Sequence, residues 1–162
     1  MRADLDIEGG VVVGIDGSDA SLHALFLASE EAGRRDCLLH VVRAWTLRTA
    51  PRPPEVPPST VPSVAEFHDW IVLRTRALVE ETLPAPEDRA RVRLHLPRSQ
   101  AVGALLTAAE TAELLVVGHR GRGSRLMLGS VAAICVRRAG CPVLVTRPHH
   151  RRAAGRRATA GG

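Results

Sequence analysis

The sequence predicts one α/β domain, an open five-stranded parallel sheet in the order 3-2-1-4-5 with helices on both faces. Three observations carry this. Short, nearly unbroken apolar runs recur at residues 11–15, 37–42, 114–117 and 143–145, the signature of strands buried on both sides. Between them lie longer stretches with apolar side chains at helical spacing. A chain of 162 residues is long enough for one hydrophobic core and does not call for two. Strand and helix in alternation imply parallel pairing with right-handed crossovers.

Residues 1–9 are polar and read as a flexible N-terminus, residues 10–147 as the domain and residues 148–162 as a disordered basic tail. Gly10 introduces the first strand, and Asp16-Gly17-Ser18-Asp19 ends it with turn residues and helix caps. Leu22, Leu25, Phe26 and Ala32 mark the inner face of the first helix, which Gly33-Arg34-Arg35-Asp36 brings to a stop. The second strand covers residues 37–42 and extends toward Trp45. Six prolines between Pro51 and Pro62 exclude regular structure there. Val64, Phe67, Ile71 and Leu78 give a second helix, stopped by Pro84 and Pro86.

Val92, Leu94 and Leu96 alternate with Arg91, Arg93 and His95, which predicts a strand with one more polar face, near an edge of the sheet. Ser99 is placed to cap a third helix whose inner face is Val102, Leu105, Leu106 and Ala109. A fourth strand at 114–117 runs into a glycine-rich stretch. Val131, Ile134 and Cys135 then make a fourth helix, ending in Arg137-Arg138 with Gly140 as its stop. Pro142 enforces extended backbone before the last strand, residues 143–145.

The totals exclude several classes. No apolar run is long enough to cross a membrane and residues 1–10 show no cleavable leader pattern, so a cytoplasmic protein is expected. The net charge of +5 comes from the C-terminal end: Arg147, Arg151, Arg152, Arg156 and Arg157 meet no acids there, while the rest carries 17 arginines and 17 acids. The domain itself therefore has no nucleic-acid footprint, and the tail, which lacks aromatic residues for stacking, offers only salt-sensitive phosphate contacts. Cys37, Cys135 and Cys141 are too scattered for a metal knuckle or a redox pair and suit buried thiols in a reducing compartment.

Chemistry concentrates in residues 118–130. Gly118, Gly121 and Gly123 follow the fourth strand, and Gly129-Ser130 opens the next helix. Such a strand, glycine loop and helix start can turn unpaired backbone N–H groups toward a phosphate. The spacing matches neither GxGxxG nor a GK(S/T) loop, and the chain contains no lysine. In an open parallel sheet, ligands bind beyond the C-terminal strand ends where the strand order reverses. Residues 16–18 and 118–130 meet across that point. The alternative is that the glycines merely solve a tight connection.

These residues resemble the universal stress protein (UspA) family. The resemblance rests on the opening Val-Val-Val-Gly-Ile-Asp-Gly-Ser, the Leu38-Leu39-His40-Val41-Val42 strand, and the closing block from Leu115 through Gly118, Gly129-Ser130 and Cys141-Pro142 to Val145. It implies a Rossmann-like sheet of the adenine nucleotide alpha hydrolase-like type. Family members that bind ATP share a Gly-x2-Gly-x9-Gly-Ser/Thr element. Gly118, Gly121, Gly129 and Ser130 match it, but residues 122–128 number seven where that pattern has nine.

The resemblance implies a concrete site. Asp16 would contact the adenosine part of ATP, with Gly14 and Ile15 lining the same cleft; the other reading of Asp16 is a turn carboxylate. Val41 would pack on the adenine, while Val117, Gly118 and Gly121 let backbone approach the ribose and phosphates. Gly129, Ser130 and Val131 would offer amides and a hydroxyl, and Arg120 a charge-assisted contact. Arg122 and Arg125 could add to it, and Ala132 removes a hydroxyl that binding members can carry there. Mg²⁺ or Mn²⁺ would accompany the nucleotide. No nucleophile, base and acid set is evident, so at most slow ATP hydrolysis is expected, with His119 the histidine to test or else a solvated loop side chain. The implied role is a regulatory ATP-binding stress protein, dimeric through Val143, Leu144 and Val145, acting on an unidentified partner. The competing reading is a scaffold of the same fold that binds no nucleotide.

Overall fold

Strands β1 (Val11–Gly14), β2 (Leu39–Val42), β3 (Val92–His95), β4 (Leu114–Gly118) and β5 (Val143–Thr146) pair in parallel in the order β3-β2-β1-β4-β5. This is the order the sequence predicts. The structure, a computed structural model, describes residues 5–120 and 128–147. Five helices connect the strands: α1 (Asp19–Arg35), α2 (Val64–Thr82), α3 (Pro86–Ala90), α4 (Ala101–Ala108) and α5 (Ser130–Arg138).

Strand periodicity divides the core into two layers. Val11, Val13, Leu39, Val41, Leu114 and Val116 face α1 and α2, where Ala24, Leu25, Ala28, Ala32, Val79 and Leu83 close over them. Val12, Val42, Leu115 and Val117 face α4 and α5 and meet Leu105, Ala108, Ala109, Ala132 and Cys135. Because both faces are covered, the central strands need apolar side chains at every position.

The helices bury part of the expected set, including Leu25, Ala32, Leu105, Ala109 and Cys135, and differ from it in the rest. The inner face of α1 is Ser21, Ala24, Leu25, Ala28, Ser29 and Ala32, and Phe26 is 45% exposed. In α4 it is Ala104, Leu105 and Ala108, with Val102 and Leu106 at the flanks. In α5 it is Ala132 and Cys135, with Val131 and Ile134 half-buried. Small side chains let a helix lie close on the sheet, so alanine takes the centre and the larger residues fan to the sides.

Boundaries shift for local reasons. Gly33 lies inside α1, whose end is set by Asp36 in the left-handed region at φ 50°, its N–H bonded to the Ala32 and Gly33 carbonyls. β2 begins at Leu39 rather than residue 37. The short α3 was not expected; Pro86 sits in its first turn, followed by Glu87 and Asp88. Gln100, not Ser99, precedes α4, and the Ser99 hydroxyl is buried without a partner among the described residues. The proline-rich segment contains no helix or strand. Arg52 pins it, donating from Nη2 to the Pro57 and Thr60 carbonyls at 2.6 Å each.

Candidate functional site

At the C-terminal ends of β1 and β4, where the strand order reverses, a cavity of about 550 Å³ opens. That lies within the roughly 300–1,000 Å³ of small-molecule sites. Gly14, Ile15 and Asp16 line it from β1, Val117, Gly118 and Arg120 from β4, and Gly129, Ser130 and Val131 from the start of α5. Nine of the residues expected from sequence thus share one cavity. Gly121 and the arginines at 122 and 125 lie outside the described residues.

Val41 is not among the lining residues. It is fully buried in the layer against α1 and α2, and Val42, one residue on, faces the cavity instead. In a strand covered on both faces the two valines look alike in sequence, and only the register distinguishes them.

The rim after β1 is an interlocked turn. Asp16 Oδ1 accepts the Ser18 N–H at 2.9 Å, and Ser18 caps α1 by accepting the Ser21 N–H at 3.3 Å. Buried Ser21 returns its hydroxyl to the Ser18 carbonyl at 2.9 Å. Gly17 supports the turn at φ 84°. The Asp16 carboxylate is thereby fixed at the cavity mouth, on an exposed residue.

Opposite it, α5 starts at Gly129 with no side-chain cap. The Gly129 N–H donates to the His119 carbonyl at 2.9 Å, so this amide closes the loop. Helix geometry leaves the next amides, those of Ser130, Val131 and Ala132, without a partner inside the helix, and they carry the positive end of the helix dipole. All three residues line the cavity, an arrangement suited to an anion.

His119 is 8% exposed, contrary to a solvated loop histidine. Its N–H donates to the Thr146 carbonyl at 2.7 Å, and its Nδ1 accepts from Arg120 Nε at 3.0 Å. Desolvation, then the Arg147 and Arg120 charges, push its pKa below the usual histidine value. It serves to hold Arg120 at the cavity wall.

Of the lining residues that the sequence did not mark as part of the site, Arg43 and Trp45 beyond the end of β2 carry the most chemistry. Arg43 is buried, and its Nη1 donates to Thr75 Oγ1 at 3.1 Å, which in turn donates to the Ile71 carbonyl at 2.6 Å. Trp45 Nε1 donates to the Leu96 carbonyl at 3.0 Å. Trp45 and Ile71 add apolar surface to the side of the cavity beyond β2, next to the Arg43 guanidinium. A single charge and a tryptophan directly after an apolar strand are the signals that could have found them.

The sequence model of the universal stress protein family matches residues 10–147. The chain belongs to this family. It is 37% identical over 139 residues to universal stress protein Rv2005c of Mycobacterium tuberculosis, an alignment covering 84% of this chain and 47% of that one. The chain thus spans about half the length of the curated universal stress proteins it matches. A solved universal stress protein in complex with cAMP superimposes with TM-score 0.57 at 27% identity, covering 86% of this chain and 95% of that one. A universal stress protein from Archaeoglobus fulgidus, in complex with dAMP, shares the fold at 21% identity and TM-score 0.55, covering 86% and 98%. Among the described residues of this universal stress protein, no three His, Cys, Asp or Glu side chains converge to hold a metal ion, and no helix is long and apolar enough to cross a membrane.

Proposed function

We propose that this universal stress protein binds an adenine nucleotide, ATP in the first instance, in the cavity between β1, β4 and α5, and acts as a regulatory cytoplasmic stress-response protein rather than as a catalyst. The observation that carries the reading is the polarity of the cavity. The side beyond the end of β2 carries Trp45 and Ile71, with the buried Arg43 turned to Thr75, and suits a base; the side at the start of α5 offers the backbone amides of Ser130, Val131 and Ala132 and suits phosphates. The similar solved protein that holds cAMP supports the ligand class. Gly14 and Asp16 stand between the two sides, where a ribose would lie. Arg120, held by His119, supplies a cation at the phosphate side. The residues present suit Mg²⁺ or Mn²⁺ only as an ion carried in by the triphosphate, with Asp16 as the nearest carboxylate at the mouth. Such an ion would neutralise phosphate charge.

Calorimetric titration of nucleotide-free protein with Mg-ATP and with cAMP tests the reading. Saturable binding with one nucleotide per chain is expected for at least one of them. Absence of binding of either at millimolar concentration overturns the proposal and leaves the non-binding scaffold.

A further inference from the structure

His40 and His95 make a contact that neither the cleft nor the apolar core requires. They stand on β2 and β3, on the sheet face covered by α4 and α5, because His40 adjoins the oppositely facing Val41 and His95 is in register with Val42. His40 Nδ1 and His95 Nε2 are 3.0 Å apart. His40 is 3% exposed; its Nε2 lacks a hydrogen-bond partner and packs beside Gly10, where an added Cβ would lie 3.3 Å away. One ring must donate and the other accept, so the bond exists only while at least one ring is neutral. With both protonated, two donors and two charges oppose each other, one of them on the buried His40. The charged groups around them are Arg93 on β3, a further cation beside His40, and Asp6 of the N-terminal segment, the acid that faces both rings.

Among the described residues β3 is an edge strand, paired only with β2. The backbone just beyond the pair holds the wall of the cleft beyond β2. The His95 carbonyl accepts the Arg43 N–H at 2.9 Å, and the Pro97 carbonyl accepts the Trp45 N–H at 3.1 Å. The Leu96 carbonyl accepts Trp45 Nε1 at 3.0 Å. We propose that the His40–His95 pair is a proton-responsive latch on the cleft. When both rings are imidazolium cations, the edge strand loosens from β2, Arg43 and Trp45 lose their anchors, and the cleft holds its ligand less well. The ligand part of this inference rests on the nucleotide reading above; the loosening of the wall does not.

The direction follows from linkage. Burial above all, then the neighbouring cations, lower the pKa of His40 below the ordinary 6.5, and burial lowers that of His95. The opened state therefore takes up protons first as pH falls below about 6.5. The latch is fully closed above that value and weakens below it. By reciprocity, a ligand held by the closed wall opposes protonation of the pair.

The test compares the full chain with His95→Gln, a half-buried site where the amide can still donate or accept. Amide hydrogen exchange at Arg43 and Trp45 is read without ligand at pH 7.5 and 5.5 and corrected for intrinsic rates. In the unaltered protein the protection of these two amides should fall by about tenfold for each pK unit of depression traversed, while Val12 and Val116 at the sheet centre keep theirs. In His95→Gln the difference should shrink, because His40 then faces a neutral amide instead of a second cation while its burial remains. Equal acid response in both proteins overturns the latch, as does an NMR titration in which His40 and His95 both titrate at the ordinary histidine value. In the ligand arm, cAMP has no phosphate that titrates in this range. Its affinity should drop on acidification in the unaltered protein and drop less in His95→Gln. No cAMP or Mg-ATP binding at either pH overturns the nucleotide reading, while the exchange arm still decides whether the wall is latched.

Discussion

At Gly118 an added Cβ would lie 2.8 Å from the Ala20 carbonyl oxygen and 2.9 Å from its carbon. The missing side chain is thus needed for close approach of α1 to the end of β4, and no flexible group can yield. Gly118→Ala should destabilise the fold by about 1–3 kcal/mol through overpacking, read as a lower thermal midpoint. An unchanged midpoint would show that α1 can move. Gly14 contrasts with it, because its added Cβ meets only the Leu105 side chain, at 2.9 Å and 3.0 Å. At this scale the sequence marked the glycines, Asp16 and Ser130, since spacing and turn chemistry are local. It could not separate Val41 from Val42, nor find Arg43 and Trp45. Their orientation is set by the Pro97 and Leu96 carbonyls and by Thr75, partners far along the chain.

Among elements, α5 has the sharpest conflict between stability and ligand binding. Its N-cap, Gly129, has φ −58° and ψ 149°, a backbone that any residue adopts, and it supplies no side-chain cap. Gly129→Asp should strengthen the helix by a few tenths of a kcal/mol, because the carboxylate can accept a first-turn amide and meets the dipole. The same carboxylate would occupy and repel the position proposed for phosphate. Higher thermal stability with nucleotide affinity lowered by at least tenfold is expected, measured by thermal unfolding and calorimetry on one preparation. Tighter binding with the acid in place would remove α5 as the phosphate site. The strands and the four longer helices were legible from periodicity, including the edge position of β3, whereas the five-residue α3 was not. The alanine faces of α1, α4 and α5 were not, because periodicity ranks residues by hydrophobicity whereas close packing on a sheet selects small volume.

For the whole molecule, the two free edges of the sheet differ in kind. β3 carries Arg93 exposed within it and Arg91 just before it, the latter bonded to Asp36 at 3.1 Å. Charges of this sort discourage strand addition. β5 presents Val143, Leu144 and Val145, with Leu144 37% exposed, and Val136 of α5 and Phe26 of α1 add 52% and 45% exposed apolar side chains. An apolar edge paired by β4 alone is a template for a second chain, and antiparallel pairing about a two-fold axis closes the assembly at two. The dimer that the family resemblance implies would form through β5, and Leu144→Arg should then convert it to a monomer in sedimentation equilibrium. The site proposed for nucleotide should remain, since Leu144 does not line that cavity. A protein that sediments as a monomer at every concentration would overturn the dimer. A Leu144→Arg variant that stays dimeric would instead move the interface away from β5.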